Sequence, residues 1–380
     1  MKIAIVHDYL AEYGGAERVV AAMCEAFPQA DLFVAFIDRA RLGKQGEYFA
    51  KRRVKTTWLQ FIPGIKKIYS PLRILAPWAF SCLNLRAYDV VISSTNAYFA
   101  KAVKVKTGAV HFCYCHTPAR SLYGYSTQSD WRAKPLINFF GKISNHFLRL
   151  ADWRASQKVT YFLANSETTA ARIKKFYRRD SQILYPPIIL IDELAKLPPP
   201  KHSQEKYYLY VNRLNFAKHP ELAIQACLKM GRPLYVVGSG AMEAQLREQY
   251  GSEALIKFCG SVSDHELATL YQNARALIYP VTDEDFGIVP VEAMGAGLPV
   301  IAHRSGGPLE TILENVTGVF FDGDLADQKQ SQRHLDHLIA AIKTSEEINW
   351  QPNLIKKHAS RFSQAHFTKK LQDLITKSKT

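Results

Sequence analysis

The sequence predicts an α/β protein made of two doubly wound, Rossmann-like parallel-sheet domains that face a cleft. Three observations lead there. Short β-branched and aromatic runs recur along the chain, several of them apolar almost without interruption, as strands covered on both faces must be. Segments with helical spacing lie between these runs, so strand and helix alternate as they do in βαβ units. Prolines cluster near the middle of the 380 residues, and at roughly 150 residues per domain two domains are the simplest division.

The first strand is expected at Ile3 to Val6. A glycine turn at Gly14 and Gly15 follows, then a helix on which Val19, Val20, Met23 and Phe27 recur at helical spacing. Further strands are expected at Leu32 to Phe36, Val90 to Ser93, Val110 to Cys113 and Val159 to Ala164. A second set covers Tyr207 to Val211, Leu234 to Val237, Ile256 to Cys259, Ala276 to Tyr279, Pro299 to Ala302 and Val319 to Phe321. Pro186 and Pro187, then Pro198 to Pro200 before KHSQEK, suit a stiff linker, which sets the expected domains at 1–186 and 187–362. A last amphipathic helix presents Phe367, Leu371, Leu374 and Ile375 on one face, and 363–380 is expected to cross back to the first domain.

Composition removes several classes. With 47% hydrophobic and 22% charged residues, 20 Gly and 18 Pro, the chain is neither disordered nor collagen-like. Its 49 Lys and Arg against 34 Asp and Glu leave +15, a balance that suits phosphate, nucleic acid or an anionic membrane face. The six cysteines contain no CxxC pair, so no zinc ribbon or dithiol motif is visible and a reducing compartment fits. MKIAIVHDYL lacks the apolar core of a signal peptide. The longest nearly apolar stretch, Ile74 to Leu85, contains Pro77 and is too short to cross a bilayer.

The stretch that carries chemistry is EDFGIVPVEAMGAGLPVIAHRSGG, from Glu284 to Gly307. Pro290 suits the first turn of a helix, and Gly295 and Gly297 suit its end. The amides of Phe286, Gly287, Ile288 and Val289 would then sit at a positive helix terminus, where a diphosphate can be held. Glu284 precedes that helix and Glu292 is expected in its first turn. Carboxylates there accept hydrogen bonds from sugar hydroxyls; the plainer reading makes Glu292 a first-turn acid favoured by the helix dipole.

Arg213 and Lys218, in VNRLNFAKHPELAIQA, are suited to compensate the charge that grows on a departing nucleoside diphosphate. As isolated residues they read as a solvated strand-end pair. Gly14 and Gly15 let bare backbone approach a phosphate or sugar, but the turn is not GxGxxG, and a dinucleotide site loses ground. His116, in HFCYCHTPAR, falls on a loop after a strand, where it is a site residue or a structural histidine. The acidic strings Asp283–Asp285 and Asp322–Asp324 could bind Mg²⁺ or Mn²⁺, but read as loop acids beside so much positive charge.

Together these residues resemble the E-x7-E signature of family 4 glycosyltransferases, which have the two-domain GT-B fold. LPVIAHRSGGPLETI resembles that family's strand and glycine turn, and FLANSETTAARI its strand and helix closing the amino-terminal domain; in all the resemblance covers most of 1–322. It implies a retaining hexosyltransferase, of the mannosyltransferase-like branch, with GDP-mannose as first candidate donor. Glu284 would hold the sugar, Arg213 and Lys218 the leaving diphosphate, Glu292 the ribose and His116 the transferred sugar, with no metal in the chemistry. Gly14 and Gly15 would lie over the donor diphosphate beside the acceptor. No residue stands out as a covalent nucleophile, which favours a same-face displacement.

Lys51 to Arg73 holds seven basic residues and no acidic one, interleaved with Trp58, Phe61, Ile62, Ile65 and Tyr69; Trp78 and Phe80 follow. That mixture, spanning 51–85, suits an anionic membrane surface, and Trp131 to Trp153 could extend the face. A solvated charge run and a nucleic-acid surface are the other readings. The expected protein is therefore cytoplasmic and peripheral to the membrane, acting on a saccharide or lipid-linked acceptor. A nucleotide-sugar epimerase or hydrolase of the same architecture is the enzymatic alternative, and a basic nucleic-acid-binding protein the other.

Overall fold

The computed structural model describes residues 1–42, 47–50, 52–125, 135–194, 206–325 and 327–378, without the side chains of 50, 135–140, 192 and 328. Its contacts divide the chain into two compact units, 1–187 with 364–380, and 188–363. The expected linker prolines 198–200 and the following polar stretch to 205 lie outside the described residues.

The first unit holds a seven-stranded, all-parallel sheet: β1 (Ile3–His7), β2 (Asp31–Val34), β3 (Val54–Thr56), β4 (Val90–Thr95), β5 (Val110–Cys115), β6 (Tyr161–Ala164) and β7 (Ser181–Ile183), in spatial order β3-β2-β1-β4-β5-β6-β7. Every residue of β1 and β4 is buried, which is why their leading residues, Ile3–Val6 and Val90–Ile92, read as unbroken apolar runs rather than alternating ones. The edge strands β3 and β7 escaped sequence reading. Each is three residues long and partly exposed, with no apolar run to reveal it.

The first helix, Gly15–Ala26, covers one sheet face with Val19, Val20, Met23 and Cys24. Against it packs the helix Gln364–Lys377, whose Phe367, Leu371 and Ile375 are buried in the same core while Leu374 is partly covered. Ser166 caps the helix Glu167–Tyr177, its hydroxyl accepting from the Thr169 amide at 2.9 Å.

The second unit holds a six-stranded parallel sheet: β8 (Tyr208–Val211), β9 (Leu234–Val237), β10 (Ile256–Gly260), β11 (Ala276–Tyr279), β12 (Val300–His303) and β13 (Gly318–Phe321), in order β10-β9-β8-β11-β12-β13. Both sheets share one topology. Each begins at a central strand, winds out to one edge, returns and winds out to the other, which leaves a switch point between β1 and β4 and another between β8 and β11. In open α/β sheets, ligands bind at such points, beyond the carboxyl ends of the strands.

Candidate functional site

In the second unit, β8 leads into Asn212, Arg213 and the turn Phe216–Lys218, while β11 leads into the loop 280–287. The two connections meet through side chains: Lys218 Nζ donates to Glu284 Oε2, and the Tyr279 hydroxyl donates to the same oxygen at 3.1 Å. Glu284 is thus both ion-paired and hydrogen-bonded. Burial and the adjacent carboxylate push the Tyr279 phenol well above its ordinary value, which keeps it a donor at any physiological pH. Arg213 lies exposed at the end of β8.

Glycines set the shape of both loops. Gly306 has φ +66°, and a Cβ there would lie 2.3 Å from the Glu284 carbonyl oxygen; at Gly307 a Cβ would lie 2.3 Å from Phe286 Cα. The Gly307 amide donates to the Glu284 carbonyl at 2.8 Å. Only bare backbone can come so close, so the turn after β12 clamps the loop that carries Glu284. Gly238 and Gly240, after β9, do the same for the Arg213 loop, where a Cβ would meet the carbonyl oxygens of Asn212 and Leu214 at 1.9 and 2.3 Å.

The helix Ile288–Gly295 follows Gly287, whose φ of +85° places it in the left-handed region. Helix geometry leaves the Ile288 and Val289 amides without intrahelical acceptors, and Pro290 has no amide hydrogen to satisfy. Phe286 is buried, its ring edge-on to Phe362 with centroids 5.7 Å apart. One expectation is corrected. Glu292 is the fifth residue of this helix, not part of its first turn, because the left-handed Gly287 prevents an earlier start. The residue is 8% exposed and accepts from the Tyr271 hydroxyl at 3.3 Å, so it is a buried carboxylate rather than a dipole-favoured surface acid.

Among the described residues no three His, Cys, Asp or Glu side chains are gathered as a metal site. Of the two acidic strings, the second has Asp322 ion-paired with Arg304 at 3.2 Å.

In the first unit, three side chains stand at the carboxyl ends of adjacent central strands: His7 on β1, Ser94 on β4 and His116 just beyond β5. His7 Nδ1 lies 3.1 Å from Ser94 Oγ and 3.2 Å from the Ser94 carbonyl oxygen, and Ser94 Oγ lies 2.9 Å from His116 Nε2. Glu17, third residue of the first helix, faces His7 Nε2 at 3.6 Å and reaches back to accept from the Gly14 amide at 2.9 Å. That backward bond is half of a capping box and holds the glycine turn in place. Gly15 begins the helix.

Burial alone would lower the His7 pKa, yet the Glu17 hydrogen bond and the charges of Glu17 and Asp8 leave it raised. Burial likewise opposes ionisation of Glu17, but the hydrogen bond and charge of His7 hold its pKa down. His116 goes the other way: burial, with the charge of His7 beside it, pushes its pKa down to about 4. Asp8 is committed elsewhere, accepting from the amides of Asn96, Ala97, Tyr98 and Ala100 and from the Thr95 hydroxyl. Sequence reading singled out Gly14, Gly15 and His116, which the structure places beside this cluster, and did not single out His7, Ser94, Glu17 or Tyr279. The available signal was a polar residue at the carboxyl end of an apolar run, repeated on neighbouring strands.

The basic segment divides. Leu59, Ile65, Ala76, Ala79 and Phe80 enter the core, while Phe61 and Trp78 are 82% and 61% exposed, with Ile68 and Ile74 also exposed. Four of its cations have partners within the unit: Arg52 donates to the Cys24 carbonyl, Lys55 pairs with Asp31 at 3.1 Å, Lys66 with Asp38 at 3.3 Å, and Arg73 bonds Ser121 and Asn145. The run is therefore not simply solvated. Arg73 ties this region to the helix Pro135–Gln157, which exposes Ile143, Phe147, Leu150 and Trp153. Lys51, Trp131 and the side chains of Phe139 and Phe140 lie outside the described residues. Among the described residues no helix is long and apolar enough to cross a membrane.

Comparison with known proteins places these features. A family model described as Glycosyltransferase Family 4 matches residues 13–190, and one described as Glycosyl transferases group 1 matches residues 193–350. The chain is 24% identical to the alpha-1,3/1,6-mannosyltransferase ALG2 of Dictyostelium discoideum, over 86% of this chain and 87% of that one. It is 25% identical to ALG2 of Kluyveromyces lactis, over 100% and 86% respectively. Among solved structures it resembles Anabaena HepE in complex with UDP, at TM-score 0.70 and 17% identity over 99% of this chain and 100% of that one. It also resembles the lipopolysaccharide outer core galactosyltransferase WaaB, at TM-score 0.63 and 19% identity over the whole of both. At those identities the structures establish the fold, which is GT-B.

Proposed function

This chain belongs to glycosyltransferase family 4, and on that premise we propose that it is a retaining mannosyltransferase that moves mannose from GDP-mannose to a saccharide on a lipid carrier. The observation that carries the reading is the meeting of Lys218, Glu284 and Tyr279 at the second switch point, on loops clamped by Gly238, Gly240, Gly306 and Gly307. A diphosphate entering there would draw Lys218 off Glu284. The cation and Arg213 would then compensate the leaving charge, beside the amides at the start of the helix Ile288–Gly295, and the freed carboxylate would take the sugar hydroxyls. Buried Glu292 would bind the ribose, and His116 would contact the transferred sugar. Gly14 and Gly15 would lie beside the acceptor.

Mannose is favoured because relatives matching most of the chain carry mannosyltransferase in their names, and those names specify alpha linkages. An alpha-linked donor giving an alpha-linked product keeps its anomeric configuration. Retention is open to a double or a same-face displacement; with no residue standing out as a covalent nucleophile, the same-face route fits better, and the positive charge of Arg213 and Lys218 leaves no step that requires a metal.

The lipid-linked acceptor is supported by Phe61, Ile68, Ile74 and Trp78, exposed beside Lys66 and Lys67, and by the apolar row on the helix joined to them through Arg73. Such a face suits peripheral binding to an anionic cytoplasmic membrane surface. Arg52, Lys55, Lys66 and Arg73 are held by partners within the unit, which leaves these four less free to reach the phosphates of a nucleic acid.

Incubation with a panel of nucleotide sugars and lipid extract tests this. Acceptor-dependent release of GDP from GDP-mannose is the expected result. Release without acceptor points to a hydrolase or epimerase, and thermal stabilisation by UDP but not GDP replaces the donor base. Equal flotation with neutral and anionic liposomes removes the membrane face.

A further inference from the structure

The Glu17–His7–Ser94–His116 cluster has no role in the steps above beyond His116, yet its geometry fixes the position of a proton. We propose that Glu17, His7 and Ser94 are positioning residues that hold His116 as a neutral imidazole with its proton on Nδ1, so that it meets the sugar as a hydrogen-bond donor through that atom. The inference deepens the functional reading above and rests on His116 contacting the transferred sugar.

The argument starts from a group with no choice. The Ser94 carbonyl oxygen can only accept, so His7 Nδ1, 3.2 Å away, carries a hydrogen. Glu17 Oε1 faces the other nitrogen of that ring, and the carboxylate favours a hydrogen there as well. His7 therefore presents N–H toward Ser94 and cannot accept the serine hydroxyl proton. Ser94 Oγ bonds to the two imidazole rings, and its one hydrogen goes to His116 Nε2 at 2.9 Å. A ring nitrogen that accepts holds no proton, which leaves the single proton of the neutral ring on Nδ1.

The surroundings agree. The groups facing His116 are Ser94 from β4, His7 from β1 and the ring of Tyr114 from β5, with Glu17 and Asp8 adding charge. The Thr169 hydroxyl donates to the His116 carbonyl at 3.2 Å, and the His116 amide donates to the Thr95 carbonyl at 3.0 Å, so the backbone is held from two elements. Asp8 is occupied by four amides and does not compete for the ring. A protonated His7 at the far end of the relay disfavours a second positive charge on His116, in line with its lowered pKa.

Nitrogen-15 NMR of the histidine rings in the whole protein reads the tautomer directly. The expected spectrum shows His116 as the Nδ1–H form at pH 7, remaining neutral until the pH approaches about 4. An imidazolium or an Nε2–H ring at pH 7 overturns the proposal. In Ser94→Ala, His116 is expected to populate both tautomers, with kcat reduced by up to about a hundredfold and donor KM within about twofold, since the sugar contact is misaligned while the diphosphate site is intact. A variant that keeps the wild-type tautomer overturns it too. The NMR readout does not depend on turnover: the expected tautomer in a protein inactive on every nucleotide sugar sinks the mannosyltransferase reading, whereas the wrong tautomer in an active enzyme sinks the relay.

Discussion

The two units share a strand order and a switch point but furnish them by different means. At the second, between β8 and β11, the shape comes from backbone pressed against backbone, with four glycines admitting carbonyls closer than any side chain allows. At the first, between β1 and β4, it comes from the buried side chains of Glu17, His7 and Ser94, bonded in series between the Gly14 amide and the half-buried His116. A site made of backbone contacts fails when a methyl group is added. A site made of a side-chain relay fails when a proton is added or removed.

The sharpest test of that contrast is a pair of glycine variants. Gly306→Ala combines φ +66° with a Cβ 2.3 Å from a backbone oxygen and is expected to cost about 3 kcal/mol or more in chemical denaturation, with loss of nucleotide binding. Gly14→Ala, with φ −109° and its nearest contact the Glu17 carboxylate at 3.3 Å, is expected to cost no more than about 1 kcal/mol. Equal losses would erase the distinction. Next in size is Glu284→Gln, which keeps the shape of the side chain but releases Lys218 from its ion pair. Transfer should fall about a hundred- to a thousandfold with the melting temperature little changed, and unchanged turnover would remove Glu284 from the mechanism.

Acid probes the first unit. Buried His111, like His116, has its pKa lowered to about 4 by burial, so below the ordinary value of 6.5 the unfolded chain binds protons that the folded one refuses. Stability therefore falls as pH drops from about 6.5 toward 4, by roughly 2 kcal/mol for His111 between pH 7 and pH 5. His7, with its raised pKa, acts in the opposite sense: its contribution is complete below 6.5 and is lost as pH rises through the folded value. Urea titrations at the two pH values measure the balance, and His111→Gln should flatten it. The smallest effect is expected of Tyr271→Phe, which removes one 3.3 Å hydrogen bond to buried Glu292: a loss of about 1 kcal/mol in stability or nucleotide affinity, read by thermal shift.

Much of this was legible in the sequence, for reasons that also mark where it stopped. The central strands were readable because burial on both faces makes their leading residues continuous apolar runs, and the helix Ile288–Gly295 because Pro290 marks its first turn and Gly295 and Gly297 its end. The three-residue edge strands carried no such pattern. Glu284 and Lys218 could be picked out singly, but their pairing across 66 residues depends on the strand order, which no local pattern encodes. His7 was hidden for the same reason: beside Asp8 it read as the polar end of a strand. Its meaning appears only when Ser94 and His116 arrive on adjacent strands.

The helix Gln364–Lys377 completes the core of a unit whose other residues end at Pro187. During synthesis the amino-terminal half must therefore wait, with the flank of the helix Gly15–Ala26 that receives Gln364–Lys377 uncovered, until the whole intervening unit has left the ribosome. A nascent chain stalled before residue 364 should remain protease-sensitive and recruit chaperones. In this molecule the half that begins first is finished last.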